Sequence, residues 1–463
     1  MAPSLFAFIL IASGVAVTTA VDVDLMPKIG FELESPGALL INTKCSPKQK
    51  ELLKGHKIKD HSGDGWFLGV DTTPLEGAFI QFEYDLLISK PDADLLDKPM
   101  KQILSDMERI QSDSSDFELE DSPCNPWKKY VQRDVWTWEA QATGPMMLEG
   151  IQDILADTVA GERDALVVWG KGDYWRKYHV LVTKDWFLKS DYLQRLSGAS
   201  TARDDPLAWV TQDVLGFLSI VLSNAKSAQP LLGDAGNLGA KALLAVMPRT
   251  DWSTIYEQVK ERIPGGLWDL INHLACYKNS GEGEDRIKGV EQDKEYCSGS
   301  ESDPVPNRKL ESQFWQMHVN PETTKRDDKV ELKYQSYLKE FSKRFPEKKI
   351  EDLEDDVKDM ILETAEYSVE TFTQVETLNV KEWVESMEEL KKPDALTKFD
   401  KLQGSHIGGF GPRLEYAINT KRAVPIWEFR DLGYYEGKVV LPKLQRIVRG
   451  FQRLHKKYPN RPW

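Results

Sequence analysis

Positive charge is in deficit in this sequence, because Lys and Arg are fewer than Asp and Glu. Its 463 residues include 60 Lys and Arg against 74 Asp and Glu, which gives a formal net charge of -14 at pH 7. No stripe rich in Lys and Arg is available to neutralise phosphate groups, so the composition argues against nucleic acid as a partner. The acidic residues are concentrated in the stretch 280–395, where they are more typical of a solubilising surface than of a recognition site.

The histidine, serine and cysteine motifs of common hydrolases and zinc sites are also missing. The seven histidines form no HxH or HExxH pattern, and no GxSxG pattern occurs. Both absences argue against histidine-based hydrolysis. The four cysteines form no CxxC pair, so a zinc site is not indicated. No Asn-X-Ser/Thr acceptor is present, so we expect no N-glycosylation.

One long apolar run is present, MAPSLFAFILIASGVAVTTA at residues 1–20. Its length and the small residues at its end predict a cleaved secretory signal peptide, and a membrane anchor is the alternative. The mature chain would begin near Val21. No second run reaches the roughly 20 apolar residues of a spanning helix. We therefore expect a secreted protein with no membrane span after cleavage.

The cysteines are Cys45, Cys124, Cys276 and Cys297. Four cysteines allow more than one connectivity, and the sequence does not choose among them. In a secreted chain two disulfides are the default expectation. We expect Cys276–Cys297 to close an acidic loop and Cys45–Cys124 to tie the early strands together.

Strand-like alternation of apolar and polar residues dominates the first 90 residues, as in KIGFELESPGALLI and GAFIQFEYDLLI. Helical spacing follows in DLLDKPMKQILSDMERI and PMMLEGIQDILADTV. The Gly/Ser/Asp/Glu-rich segment 277–310 predicts a disordered loop. Phase changes in the charged segment 328–392 argue against one continuous coiled coil. The end of the chain predicts a strand, VPIWEFRDLG, and a basic amphipathic helix.

These patterns predict an α+β fold, with a mainly antiparallel sheet that brings the N- and C-terminal strands together and helices packed on it. We divide the chain into a signal peptide (1–20), the first part of an α+β core (21–275), an acidic loop with a charged helical insertion (276–395), and a C-terminal strand and helix that complete the core (396–463).

Carboxylates at strand-like positions are the strongest candidate site residues. Glu32 and Glu34 lie two residues apart and so share one face of a strand, where like charges repel unless a cation lies between them. Glu83 lies in an apolar strand, with Phe82 and Tyr84 on the opposite face. A solvated strand face is the simpler interpretation of such residues.

Four further charged residues are candidates. Asp71 lies at a strand end entering a turn, where it could also be an Asx cap. Arg249 follows a long apolar stretch and could bind a carboxylate or phosphate, or pair with Asp251. Glu428 and Arg430 share a strand face inside an apolar run, where a buried ion pair is the simpler reading.

The order GFELE, DTT, EYDL, QATGPM, MPRT, GGFGPRLE and EFRDL over roughly 28–445 resembles the amidoligase family, which is related to glutamine synthetase and other carboxylate–amine ligases. Secreted proteins of fungal type show a similar order. The family's opening ExE strand matches Glu32 and Glu34, and its Asp turn matches Asp71. The next glutamate strand, the internal arginine and the closing Glu-x-Arg strand match the remaining residues, which are Glu83, Arg249, Glu428 and Arg430.

The resemblance implies a glutamine synthetase-like catalytic core that forms an amide from a small-molecule or peptide carboxylate and an amine, with ATP and Mg²⁺. It implies metal binding by Glu32, Glu34, Glu83 and Glu428. It also implies phosphate or substrate contacts by Arg249 and Arg430, and an amine-positioning or base role for Asp71. The Tyr84-Asp85 step after Glu83 and the insertion at 277–395 depart from the family pattern.

Two other functions stay open. One is a non-catalytic secreted effector or binding protein that acts on a host protein, with DYWRKYHVLVTKDWFL as a candidate surface. In such a protein the charged candidate residues should lie scattered over the structure and should not converge on one site. The other is an ADP-ribosylating toxin, which would use an ExE motif and the Ser200-Thr201 pair. Toxins of that kind carry the ExE motif last, whereas here it comes first.

Overall fold

In the computed structural model the described part of the chain comprises 28–72, 78–133, 136–160, 210–217, 246–248, 255–256, 258–263, 277–279, 290–292, 294, 297–300, 303–306, 326–372, 425–429 and 434–459. The predicted signal peptide, Arg249, Arg430 and the Ser200-Thr201 pair lie outside these residues, and so does DYWRKYHVLVTKDWFL.

The centre of the fold is a ten-stranded sheet in which every described pairing is antiparallel. Its strands are β1 (Ile29–Glu34), β2 (Ala38–Ile41), β3 (Lys57–Gly63), β4 (Trp66–Thr72), β5 (Ile80–Ile88), β6 (Lys128–Gln132), β7 (Thr137–Pro145), β8 (Val246–Pro248), β13 (Ile426–Phe429) and β14 (Tyr434–Glu436). The main path runs β3-β4-β5-β1-β7-β13-β8, β2 pairs with β5 and β6, and β14 pairs with β7.

Alternation in the sequence decides which side of each strand is buried against the helices. In β1 the apolar side chains Ile29, Phe31 and Leu33 are fully buried, and the polar residues between them are half-buried. A period of two puts all three apolar groups on one face. The sheet therefore has an apolar face and, opposite it, a face that carries the candidate carboxylates.

Six α-helices are described. They are α1 (Pro47–Glu51), α2 (Asp97–Ser112), α3 (Leu148–Ala160), α4 (Arg326–Arg344), α5 (Asp355–Phe372) and α6 (Gly437–Lys457). The buried residues of α6 recur every three or four positions, as a helix needs to cover a core with one stripe. Phe451 of α6 packs edge-on against Phe429 of β13, with ring centroids 5.1 Å apart. Helices α2 and α6 thus cover the apolar face of the sheet.

A second apolar cluster lies where α4 and α5 pack on β2 and β6. Strand β2 is buried on both faces: Ala38 and Leu40 join the main core, and Leu39 and Ile41 join this second cluster. That is why the ALLI segment is apolar throughout. Helices α4 and α5 are separated by a 3₁₀ turn at Ile350–Asp352, which confirms that the charged segment is not one continuous coiled coil.

The predicted α+β class with a mostly antiparallel sheet is confirmed. Strands β1 and β13 lie in the same sheet on the two sides of β7, so the N- and C-terminal strands are separated by a single strand. The helices predicted from DLLDKPMKQILSDMERI and PMMLEGIQDILADTV correspond to α2 and α3.

The prediction that 277–310 is a disordered loop is wrong for its described residues. Two small antiparallel sheets occur there: β9 (Tyr277–Asn279) with β10 (Val290–Gln292), and β11 (Cys297–Ser300) with β12 (Asp303–Pro306). The Gly and Ser residues that suggested disorder are also the residues that permit tight hairpins, and Gly299 has a φ of 91° inside β11. Short strands of three or four residues give little periodic signal in a sequence.

The disulfide Cys45–Cys124 is confirmed, and it joins positions 79 residues apart. Cys276 lies outside the described residues, so the Cys276–Cys297 pairing stays a prediction. An internal disulfide is typical of proteins that fold in an oxidising compartment, which fits a secreted protein.

Within the described residues no helix is long and apolar enough to cross a membrane.

Candidate functional site

The polar face of the sheet is built first from β1 and β5. In the antiparallel pairing Glu34 is opposite Glu83, and Glu32 is opposite Asp85. Residues directly opposite each other in a pair of strands point to the same face. Two carboxylates on each strand, two residues apart, therefore form a square of four carboxyl groups.

The neighbouring strands extend this face on both sides. On β4, Asp71 is opposite Gln81 of β5. On β7, Gln141 is opposite Glu32 and Glu139 is opposite Glu34. Asp71, Gln81 and Gln141 are buried, whereas Glu139 is half-buried. The polar face is thus continuous over four strands.

Five of these carboxylates converge into two groups with metal-ligand spacing. Glu32, Glu83 and Asp85 form one triad, and Glu34, Asp71 and Glu83 form the other. Within each triad, one carboxylate oxygen from each residue lies within 4.8 Å of the other two. Glu83, which is only 8% exposed, belongs to both. The two triads are therefore adjacent and share a ligand.

The electrostatics of the cluster disfavour full ionisation. Burial, followed by the charges of Asp71 and Glu32, raises the pKa of Glu83 well above its ordinary value. Burial and the charges of Glu32 and Asp71 also raise the pKa of Asp85, to about 7. A cation bound among these carboxyl groups would therefore compete with protons for their oxygens.

Lys54 lies at the edge of the second triad. Its Nζ is 2.7 Å from Asp71 Oδ1. Partial burial acts to lower the pKa of Lys54, but the ion pair and hydrogen bond with Asp71 more than offset this, and the pKa is raised. The neighbouring Gly55 N–H donates to the Val70 carbonyl (2.8 Å), which ties this turn to β4 beside Asp71.

Two amide side chains hold Glu34 from both sides. Gln81 Nε2 donates to Glu34 Oε2 (3.1 Å), and Gln141 Nε2 donates to Glu34 Oε1. The other end of the Gln141 amide, Oε1, is buried and has no hydrogen-bond partner among the described residues. A buried amide oxygen beside a carboxylate cluster is an acceptor that suits a cation or a donor group.

Glu428 shares the polar face but lies outside both triads. It is fully buried on β13, opposite Thr143 of β7. Strand β13 is two strands away from β1, which corresponds to about 10 Å. The structure thus places Glu428 near the cluster, and its predicted role as a metal ligand stays a prediction, as do the roles of Arg249 and Arg430.

Sequence reasoning selected Glu32, Glu34, Asp71 and Glu83 and missed Asp85. Asp85 lies two residues after Glu83, so the rule that paired Glu32 with Glu34 could have found it. No comparable sequence signal marks Gln81 and Gln141, because their importance comes from contacts with another strand.

A second buried polar cluster lies on the opposite, apolar face, where it fixes α2 to the sheet. Asp106 of α2 accepts hydrogen bonds from Tyr84 Oη (2.7 Å) and Arg109 Nε (3.0 Å), and it contacts His61 Nδ1 (3.0 Å). Burial opposes its ionisation, but these bonds hold the pKa of Asp106 below its ordinary value. This cluster packs the helix and is separate from the carboxylate triads.

Comparisons with known proteins identify no family for this chain. No family model matches it, and no curated protein matches it. Among solved structures, it is similar to the ACD domain of a VgrG toxin from Vibrio cholerae, a mutant in complex with ADP and Mn²⁺. The identity is 13%, the TM-score is 0.27, and the match covers 60% of this chain and 91% of that chain. A TM-score at this level supports no argument about fold or function.

Proposed function

We propose that this protein is a secreted ligase that uses ATP and a divalent cation such as Mg²⁺ to join a carboxylate and an amine. One observation carries the proposal: five carboxylates on one face of the sheet converge into two triads that share Glu83. The finer fold assignment, a glutamine synthetase-like core, is part of the same proposal and is supported by this antiparallel carboxylate-bearing sheet.

The residues of the face fit a hard divalent cation. Mg²⁺ and Mn²⁺ prefer oxygen ligands, and each triad offers one oxygen from each of three carboxylates. The unpartnered amide oxygen of Gln141 adds a neutral oxygen beside Glu34. Burial of Glu83 among like charges is unfavourable unless protons or cations neutralise it.

Bound divalent cations would supply charge neutralisation for the phosphates of ATP. Among the chain's own residues, Glu83 would link the two cation positions, and the amides of Gln81 and Gln141 would keep Glu34 oriented. Lys54 places an ammonium at the edge of the cluster, where an anionic group of a substrate could exchange for Asp71.

The proposed reaction has two steps. A substrate carboxylate oxygen would attack the terminal phosphorus of ATP, which forms an acyl phosphate and releases ADP. An amine nitrogen would then attack the acyl carbon, the C–O bond to phosphate would break, and the amine would lose a proton. Asp71 is the proposed group for positioning the amine or accepting that proton, and Arg249 and Arg430 are the proposed phosphate or substrate contacts.

The test is calorimetric titration of the disulfide-intact protein with Mn²⁺, and then with ATP in the presence of Mn²⁺. We expect wild type to bind Mn²⁺ and to bind ATP only when Mn²⁺ is present. Glu83→Gln should weaken Mn²⁺ binding at least tenfold, on the order of what losing a ligand shared by two triads implies. Glu118→Gln is the matched control, because Glu118 is an exposed glutamate paired with Lys59.

Absence of Mn²⁺ binding by folded wild type would contradict the metal site, and the non-catalytic effector function would then be the better reading. Mn²⁺ binding without ATP binding would contradict the ligase function while leaving the site in place. If both ligands bind, a screen of carboxylates and amines for ADP release follows.

A further inference from the structure

Arg344, the last residue of α4, reaches from the helical insertion to the carboxylate face. Its side chain is buried, and its guanidinium donates from Nε to the Pro36 carbonyl (3.1 Å) and from Nη2 to Gln81 Oε1 (2.7 Å). Pro36 lies just after the end of β1 and Gln81 lies on β5, so one guanidinium joins the segment after β1 to the strand that carries Glu83 and Asp85.

The contact with Arg344 determines which way the Gln81 amide faces. A guanidinium can only donate hydrogen bonds, so it requires the oxygen end of the amide. The nitrogen end of Gln81 is thereby directed to Glu34 Oε2, at 3.1 Å. Reversing the amide would place its NH₂ group against the guanidinium and its oxygen against a carboxylate, and both contacts would be repulsive.

The end of α4 is itself held firmly. Arg133 Nε donates to the backbone carbonyl of Arg344 (2.9 Å), and the Arg133 guanidinium lies 5.7 Å from the centre of the Phe345 ring. Phe341 and Phe345 are fully buried in the second apolar cluster. Arg344 therefore projects from a fixed point, and Arg133 stabilises that point without contacting Gln81.

We propose that Arg344 is a positioning residue that orients Glu34 through Gln81, so that the helical insertion completes the cation site. The inference rests on the proposed function only in assuming that Glu34 binds a cation. Groups that orient a metal ligand in this way commonly change metal affinity by about 10- to 100-fold when they are removed.

The experiment measures the Mn²⁺ dissociation constant of the full chain by calorimetry, together with the thermal unfolding temperature without metal. We expect Arg344→Gln to weaken Mn²⁺ binding about tenfold. Arg344→Lys should recover part of this loss, because an ammonium still donates to an oxygen. Tyr337→Phe is the control: it removes the hydrogen bond between Tyr337 of α4 and Ser368 of α5, so it should lower the unfolding temperature but leave Mn²⁺ affinity unchanged.

A double-substitution cycle separates the effect of Arg344 on Glu34 through Gln81 from a general loosening of the fold. In a Gln81→Leu background, which lacks the amide, Arg344→Gln should cause no further loss of Mn²⁺ affinity. Equal losses in the Tyr337 and Arg344 variants, or wild-type affinity in folded Arg344→Gln, would overturn the inference and leave the proposed function intact. Failure of wild type to bind Mn²⁺ would overturn both.

Discussion

Glu83 is the residue on which both carboxylate triads depend. It is nearly buried, it faces Glu34 across the β1–β5 pair, and it lies within ligand distance of the members of each triad. Its raised pKa reflects burial first and neighbouring carboxylates second. Ionised Glu83 therefore destabilises the metal-free fold, because its charge is desolvated and is repelled by the neighbouring carboxylates.

Asp85 provides a pH test of the cluster. Its pKa of about 7 means that it holds a proton at pH 6 in the metal-free protein, and a bound cation should displace that proton. Titrating Mn²⁺ at pH 6 in two buffers of different ionisation enthalpy measures the protons released. We expect Asp85→Asn to release about one proton fewer than wild type, and the difference to vanish at pH 8.5.

The exposed residue Asp64, which pairs with Lys98, supplies the control Asp64→Asn. Proton release that is the same in wild type and Asp85→Asn at pH 6 would show that Asp85 does not give up a proton to the cation.

At the residue scale, four of the five triad carboxylates were candidates from the sequence. Strand periodicity, which is a local property, placed Glu32, Glu34 and Glu83 on a strand face, and Asp71 was selected for its position at a strand end. Arg344 could not be found in this way, because its contact with Gln81 joins positions 263 residues apart. The local sequence pattern identifies the strand face that carries the carboxylates. Only the tertiary fold determines which distant side chains orient them.

At the scale of elements, the contact between α1 and α5 contains a buried lysine. Lys50 lies in a run rich in lysine, CSPKQKELLKGHK, and its side chain is fully buried. Its Nζ donates to the Ala78 carbonyl (3.0 Å) and lies 2.9 Å from Met360 Sδ. Burial lowers the pKa of Lys50 to about 7, partly opposed by the charge of Glu363.

This lowered pKa predicts a pH-dependent contribution to stability. Between about pH 7 and 10 the unfolded chain keeps a proton on Lys50 that the folded chain has lost, so stability from this group rises with pH. Lys50→Met removes that dependence. We therefore expect the unfolding free energy of Lys50→Met, relative to wild type, to fall as pH increases from 7 to 9, by at most about 1.4 kcal/mol per pH unit.

Urea unfolding at pH 6, 7, 8 and 9 measures this difference. Lys48→Met, which alters an exposed lysine of the same helix, should show no such trend. Parallel pH profiles for wild type and Lys50→Met would mean that Lys50 keeps an ordinary pKa in the fold.

Whether a strand or helix could be predicted from the sequence depended on its length and on how clearly it shows a period. Long alternating strands such as β5 and amphipathic helices such as α2 were predictable from sequence, because each shows its period over several repeats. The strands β9 to β12 were not, since three or four residues cannot display a period. The pairing of β7 with β1 and β13 could not be predicted from the sequence either, because β1 and β13 come from distant parts of the chain.

At the scale of the whole molecule, the Cys45–Cys124 disulfide ties the entry to α1 to the segment that precedes β6. A crosslink across 79 residues removes conformational freedom from the unfolded chain. We expect the Cys45→Ala/Cys124→Ala variant to lose about 2–4 kcal/mol of unfolding free energy. Urea unfolding of the variant and wild type, both purified under oxidising conditions, measures the loss.

A change within about 0.5 kcal/mol would show that the unfolded chain is not appreciably restricted by this crosslink. Ser46→Ala, next to the disulfide, is a control for local disturbance, because it removes only the side-chain cap of α1. That cap is expected to contribute about 1 kcal/mol.

The order of strands in the sheet has a consequence for synthesis of the protein. All five triad carboxylates belong to the first 85 residues, whereas β13 (Ile426–Phe429) and α6 (Gly437–Lys457), which cover β7 and the apolar face, come more than 300 residues later. A chain still being made by the ribosome therefore carries every triad ligand while one edge of β7 stays open. The sheet can be completed only after β13 and α6 have been synthesised, and until then the uncovered edge of β7 can pair with another strand.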